Sequence, residues 1–159
     1  MENQKDILQY NLEWLKFAET KATLIVTAQG VLLTIIYTNA IDLYNAVATS
    51  SVQFGLTIIS ALLFLLTLIF AFLAINPNLT NHNKKSAVYF GTIKNYSNYS
   101  EYHKTLKELN EEEMNEMLSE QIYINSRIAW NKFVKVGWAI RFFSSMLLVL
   151  FVQIILYIF

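Results

Sequence analysis

This sequence predicts an all-α integral membrane protein, with three transmembrane helices and a helical cytoplasmic module between spans two and three. Three observations carry that prediction. Of 159 residues, 55% are hydrophobic and only 15% are charged, where soluble domains carry about 25%. The charges are gathered so that three long stretches hold none: 20 residues between Lys21 and Asp42, 24 from Val52 to Ile75, and 18 from Phe142 to Phe159. Finally, lysine and arginine are distributed unevenly around those stretches. A length near 160 residues fits one domain, 1–159. Twelve basic residues cancel twelve acidic ones, so no net charge draws the chain to nucleic acid. The absence of cysteine removes disulfides, thiolate metal sites and a cysteine nucleophile. A water-soluble globular enzyme does not fit this composition.

The spans are expected at about 22–41, 52–75 and 137–159, because a bilayer core of ~30 Å takes about 20 apolar residues as a helix. The second, built around Leu62–Leu73, is the most apolar. The third is short unless Val136–Ile140 extend it, and Arg141 then snorkels toward the interface. The first carries Thr23, Thr27, Gln29, Gly30, Thr34 and Thr38, residues tolerated in a membrane where helices pack on one another. The N-terminus is not expected to be a cleaved signal peptide, because no short apolar run with a small-residue cleavage site follows a basic start.

Lysine and arginine set orientation. Lys5, Lys16 and Lys21 precede the first span, only Asp42 lies between spans one and two, and eight basic residues from Lys84 to Lys135 separate spans two and three. The stretches 1–21 and 76–136 are therefore expected in the cytoplasm, with the loop 42–51 and the C-terminus across the membrane.

Residues 6–21 read as a helix running into the first span. Asp6, Gln9, Glu13, Lys16 and Thr20 form one polar stripe, while Leu8, Leu12, Leu15, Tyr10, Trp14 and Phe17 cover the rest. Asn76-Pro77-Asn78 stops the second span, since Pro77 disfavours helix at Asn76. Residues 87–93 read as an irregular or helical packed segment. Tyr99, Tyr102, Leu106 and Leu109 repeat as an amphipathic helix, and Asn110 with Glu113 forms a capping box opening another. That last helix runs from Glu111 into the third span without a break. The three Asn-x-Ser/Thr sequons at Asn78, Asn95 and Asn98 lie on the expected cytoplasmic side and read as chance.

The acidic residues Glu108, Glu111, Glu112, Glu113, Glu116 and Glu120 read as a helix start favoured by the macrodipole rather than as a metal site. His82 and His103 lack metal-ligand spacing, and no nucleophile elbow or phosphate loop appears. The informative set is Gln121, Asn125, Ile128, Lys132 and Lys135, which share one face of the long helix where a core stripe belongs. Glu19 and Lys21 stand at the mouth of the first span at similar depth. Ionisable groups at a bilayer edge are paired or used. Two readings follow: a Glu19–Lys132 bridge with snorkelling lysines, or a polar pocket whose lysines meet an anionic ligand.

The segment Trp14-Leu15-Lys16-Phe17-Ala18-Glu19-Thr20-Lys21-Ala22 resembles the W-x-x-x-A-D-x-K-A signature of the Pycsar effector transmembrane domain. Ala74-Ile75-Asn76-Pro77, Tyr89-Phe90-Gly91-Thr92-Ile93, Glu101-Tyr102, Glu120-Gln121-Ile122 and Lys132-Phe133 follow in the family's order, over nearly the whole chain. Two positions depart from the pattern: Glu19 stands where aspartate is expected, and Asn78 where arginine is often found. The resemblance implies a bacterial inner-membrane antiphage effector. A partner cyclase makes cyclic CMP or cyclic UMP, the effector senses it in the cytoplasm, and the membrane is impaired. No cofactor and no catalysis are expected, since a membrane enzyme acting on nucleotide or lipid has no catalytic constellation here. Homo-oligomerisation is expected so that Thr27, Gln29, Thr34, Gln53 and Gln153 find partners away from lipid. The ligand site is expected near the membrane, between the long helix and the segment around Phe90 and Tyr102. Lys132 and Arg127 are the candidate phosphate partners, Gln121 and Asn125 the base or ribose partners, and Tyr102 a stacking ring. Trp14, Glu19 and Lys21 are expected in juxtamembrane structural roles. The alternative is a non-catalytic anchor or adaptor that binds a cytoplasmic protein partner.

Overall fold

The computed structural model describes residues 2–39, 41, 44, 50–77 and 86–158. Its elements are α1 (Glu2–Thr38), α2 (Ser51–Ile75), α3 (Phe90–Ile93), α4 (Tyr99–Glu108) and α5 (Glu111–Ile158), with no strand among the described residues. Most of the loop 42–51, together with Asn78, Asn81, His82, Asn83, Lys84 and Lys85, lies outside the described residues. Three helices are long and apolar enough to cross a bilayer: α1, α2 and α5. At ~1.5 Å per residue, α2 spans about 37 Å, a bilayer core with its interfaces. The 37 residues of α1 and 48 of α5 far exceed that need, so each runs on beyond its apolar stretch without a break.

Helix ends follow local chemistry. The Asn110 side chain accepts from the Glu113 N–H at 2.8 Å while the Glu113 carboxylate accepts from the Asn110 N–H at 3.0 Å, the reciprocal cap read from sequence. Asn98 caps α4 by accepting from the Glu101 N–H at 2.9 Å, and Glu101 returns the bond to the Ser97 N–H at 2.9 Å. Ser50 caps α2. Asn76 ends it with ψ of 128°, the extended conformation that Pro77 imposes on its predecessor.

The chain divides into two compact units. Ala18–Asn76 with Asn131–Phe159 form an apolar unit, and Met1–Phe17 with Pro77–Trp130 a polar one. In the apolar unit each long helix turns one 4-3 stripe inward: Ala18, Ala22, Ile25 and Gln29 on α1; Gln53, Thr57, Ser60, Phe64, Thr67, Ala71 and Ala74 on α2; Lys132, Val136, Ala139, Phe143, Met146, Leu150 and Gln153 on α5. A 3.5-residue repeat is that of a left-handed bundle. Its interior is unlike a soluble core. Ala18, Ala22, Ala71, Ala74 and Ala139 are fully buried beside buried Gln29, Gln53, Thr67, Lys132 and Gln153, while Leu24, Val31, Leu62, Leu65, Phe72, Leu148 and Phe151 are exposed. Small residues let helices approach closely where lipid, not water, is the competitor.

The bundle satisfies nearly all its own polar groups. Gln53 Nε2 donates to the Gln153 carbonyl at 3.3 Å, Gln153 Nε2 to Thr57 Oγ1 at 2.9 Å, and Gln29 Nε2 to the Phe64 carbonyl at 3.2 Å. Thr23, Thr27, Thr34, Thr57 and Thr67 each donate to the carbonyl four residues back, which hides a hydroxyl inside a single helix. These bonds pair the glutamines and threonines of the spans within one protomer. The one carbonyl of this set left buried and unpartnered is Gln29 Oε1.

Candidate functional site

In the polar unit, the first turns of α1 pack through Gln4, Leu8, Asn11 and Leu15, again at 4-3 spacing, while Tyr10, Leu12, Trp14 and Phe17 are exposed. Gln4 Nε2 donates to Ser119 Oγ at 3.1 Å and Asn11 Nδ2 to the Ile122 carbonyl at 3.4 Å, so α1 and α5 are tied by amides. Gln4 Oε1 and Asn115 Oδ1 are buried without a partner. Thr92 closes the short segment before α4: its hydroxyl donates to the Ser86 carbonyl at 2.7 Å and lies 2.9 Å from the Tyr89 carbonyl. Gly91 leaves room there for the Tyr89 ring, which a Cβ would meet at 2.5 Å and have to displace.

The expected ligand residues separate into groups. Gln121 is 6% exposed and makes no side-chain hydrogen bond among the described residues. Asn125, four residues on, shares its face and is half-buried. The Tyr102 hydroxyl donates to the Ala87 carbonyl at 3.2 Å, and its ring meets that of Tyr96 edge-on at 5.3 Å. Phe90 opens α3, and its side chain lies outside the described residues. Arg127 is exposed, with its guanidinium 5.9 Å from the Tyr123 ring. Two residues beyond Asn125, it points to nearly the opposite side of α5.

Lys132 belongs to the apolar unit. Its Nζ donates to Glu19 Oε1 at 2.6 Å, with side-chain exposures of 5% for Lys132 and 45% for Glu19. The pair stands beside a cluster of Ala18, Ala22, Ala74 and Val136. Lys135 Nζ donates to the Leu73 carbonyl at 3.1 Å, covering an orphan acceptor in the last turn of α2. Lys21 is half-buried. Of the remaining sequence features, Glu111, Glu112 and Glu113 occupy the first turn of α5, and exposed His103 stacks on Tyr99 at 5.5 Å.

The model of the Pycsar effector protein domain matches residues 3–159. The chain belongs to that family. No curated protein and no solved structure matches it significantly. Family and spans together make this Pycsar chain a multi-pass membrane protein of an antiphage effector class. Its signature around Trp14–Ala22 has a visible physical purpose: two alanines without exposure bring α1 against its neighbours, and the carboxylate between them holds the buried lysine of α5.

The amides Gln4, Asn11 and Asn115 are absent from the set chosen by sequence. The signal for Gln4 and Asn11 was available in the 4-3 spacing of Gln4, Leu8, Asn11 and Leu15, a polar-apolar mixture in one inward register.

Proposed function

We propose that this Pycsar-family chain is an inner-membrane effector that binds a cyclic nucleotide, cyclic CMP or cyclic UMP, on the cytoplasmic side and then impairs the membrane. It acts by binding and not by turnover. The observation that carries the reading is the inward face of α5 at Gln121 and Asn125, where Gln121 is 6% exposed and its carboxamide, still within reach of water, makes no hydrogen bond among the described residues. A carboxamide with no internal partner offers both a donor and an acceptor, the complement of a pyrimidine edge. Asn125 extends the same face, and the Tyr96–Tyr102 pair supplies aromatic surface of the kind on which bases stack.

The basic residues of the two polar stretches favour the N-in, C-out orientation. Self-association is part of the proposal. It draws support from Ile7, Tyr10, Trp14 and Phe17, exposed on α1 at 3-4-3 spacing, the repeat of a helix seam.

The test is titration of the detergent-solubilised full chain with cyclic CMP, cyclic UMP, cyclic AMP and cyclic oligonucleotides. Dye release from vesicles is followed in parallel. Gln121→Ala should weaken binding roughly ten- to hundredfold with melting unchanged. Arg127→Ala and Lys132→Ala form separate arms for the phosphate. Unaltered binding by Gln121→Ala moves the site elsewhere, and no binding of any nucleotide favours an adaptor.

A further inference from the structure

Basic residues outnumber acidic ones in the apolar unit. Within Ala18–Asn76 and Asn131–Phe159 the basic residues are Lys21, Lys132, Lys135 and Arg141, and the acidic ones Glu19 and Asp42. Glu19 is paired with Lys132. From Gln121 to the C-terminus α5 contains no carboxylate, and neither does α2. Arg141 forms no ion pair among the described residues.

Its position makes that charge costly. Lys135 bonds the last turn of α2 and so marks one end of the span. Arg141 lies six residues further in, about 9 Å along the helix, and its side chain is exposed on the bundle surface. The guanidinium stands 4.8 Å over the ring of Trp138, three residues back toward the Lys135 end. Snorkelling is therefore visible in the geometry. Trp138 stacks on Phe142 at 5.8 Å and 25°, and Phe70 closes the group at 5.5 Å from Phe142 and 6.3 Å from Trp138. Trp138 lies beneath the cation, and Phe142 and Phe70 extend its aromatic surface. Stacking occupies one face of a guanidinium and leaves its in-plane N–H donors available for a bidentate oxyanion. The rings offer apolar surface on which an acyl chain can lie.

We propose that Arg141 and Trp138 form a site for the phosphate of an anionic phospholipid, in the leaflet at the Lys135 end of the span. The anion missing from the chain is supplied by the bilayer, and the lipid's tail follows the Phe70–Phe142 surface. A cationic, aromatic-backed position in the span selects an anionic headgroup over a zwitterionic one by charge. The inference rests on the membrane location alone and is independent of any nucleotide.

The experiment uses the full chain with Trp14→Phe and Trp130→Phe, so that Trp138 is the sole tryptophan reporter. It is reconstituted in mixtures of phosphatidylglycerol and phosphatidylcholine in which one or the other carries brominated acyl chains. Quenching of Trp138 should show phosphatidylglycerol favoured roughly fivefold over its bulk share. That preference should fall to about one in Arg141→Gln and persist in weakened form in Arg141→Lys. A ratio near one with Arg141 intact overturns the proposal without reference to any variant, as does an undiminished ratio in Arg141→Gln. Loss of the preference on adding excess inorganic phosphate, at constant ionic strength, overturns the lipid assignment in favour of a soluble oxyanion.

Discussion

The Glu19–Lys132 pair makes an asymmetric prediction. Breaking a buried ion pair by deleting one partner costs about 3–5 kcal/mol when the other charge is stranded away from water. Here the partners differ: the Lys132 side chain is 5% exposed and that of Glu19 is 45% exposed. Glu19→Gln strands the ammonium where water barely reaches. With the figure discounted because the carboxylate side of the pair is already wet, the cost should be about 2–3 kcal/mol. Lys132→Met keeps a chain of similar length and leaves the carboxylate to hydrate, so its cost should be about 0–1 kcal/mol. The double variant should resemble Lys132→Met alone, giving a coupling of about 2 kcal/mol. Unfolding in mixed micelles of increasing dodecyl sulfate fraction, followed by far-ultraviolet circular dichroism, measures all three. Equal losses for the two single variants would refute the assignment of burial to the lysine end. A double variant no better than Glu19→Gln would refute the pair as the source of the loss.

Gln153→Leu should cost less than about 1 kcal/mol in the same assay. It deletes the bond to Thr57, whose hydroxyl still donates to the Gln53 carbonyl, and interhelical bonds in membranes average ~0.6 kcal/mol. Asn110→Ala should destabilise by about 1 kcal/mol through the lost cap, seen as a lower melting midpoint, with the apolar unit's response to dodecyl sulfate unchanged. The N-in topology is tested in a chain that has no cysteine. Ser51→Cys, exposed at the start of α2, should react with an impermeant maleimide added outside intact cells, and exposed Ser97→Cys should not. The reverse pattern would move the polar unit to the wrong compartment for a cytoplasmic ligand.

What the sequence made legible was local or was a matter of length. The caps at Asn110 and Asn76 depend on residues within three positions of each other, and the spans on uncharged runs long enough for a bilayer. The unbroken passage of α1 and α5 from polar to apolar stretches follows from the absence of any helix breaker near Ala18 or Asn131. Which face turns inward was less legible. On the polar part of α1, Leu12, Trp14 and Phe17 are more apolar than Gln4 and Asn11, yet the amides are the better buried side chains. Hydrophobicity ranks side chains against water. In the spans, where lipid solvates the outer surface, it loses that power, and small size and hydrogen-bonding reach decide what packs; on the polar part of α1 the exposed apolar face is the one to which self-association is assigned.

The same reversal explains how the glutamines of the spans and the candidate ligand residues are placed. Glutamines in a span demand partners, and a second copy is one way to supply them. But Gln29 and Gln53 reach backbone carbonyls on neighbouring helices of their own bundle, acceptors present at every turn and invisible to any count of side chains. For the candidate site, Arg127 lies close to Asn125 in number, but two residues on a helix is close to half a turn. Gln121 and Asn125 share a face because they are four apart. Lys132 shares their register, and in the apolar unit a carboxylate one helix away already holds its charge. Periodicity thus identifies which residues point inward together, whereas only the packed bundle identifies which of them are already paired. Gln121 differs from Lys132 in that second property, and that difference makes it the residue on which a ligand reading can be tested.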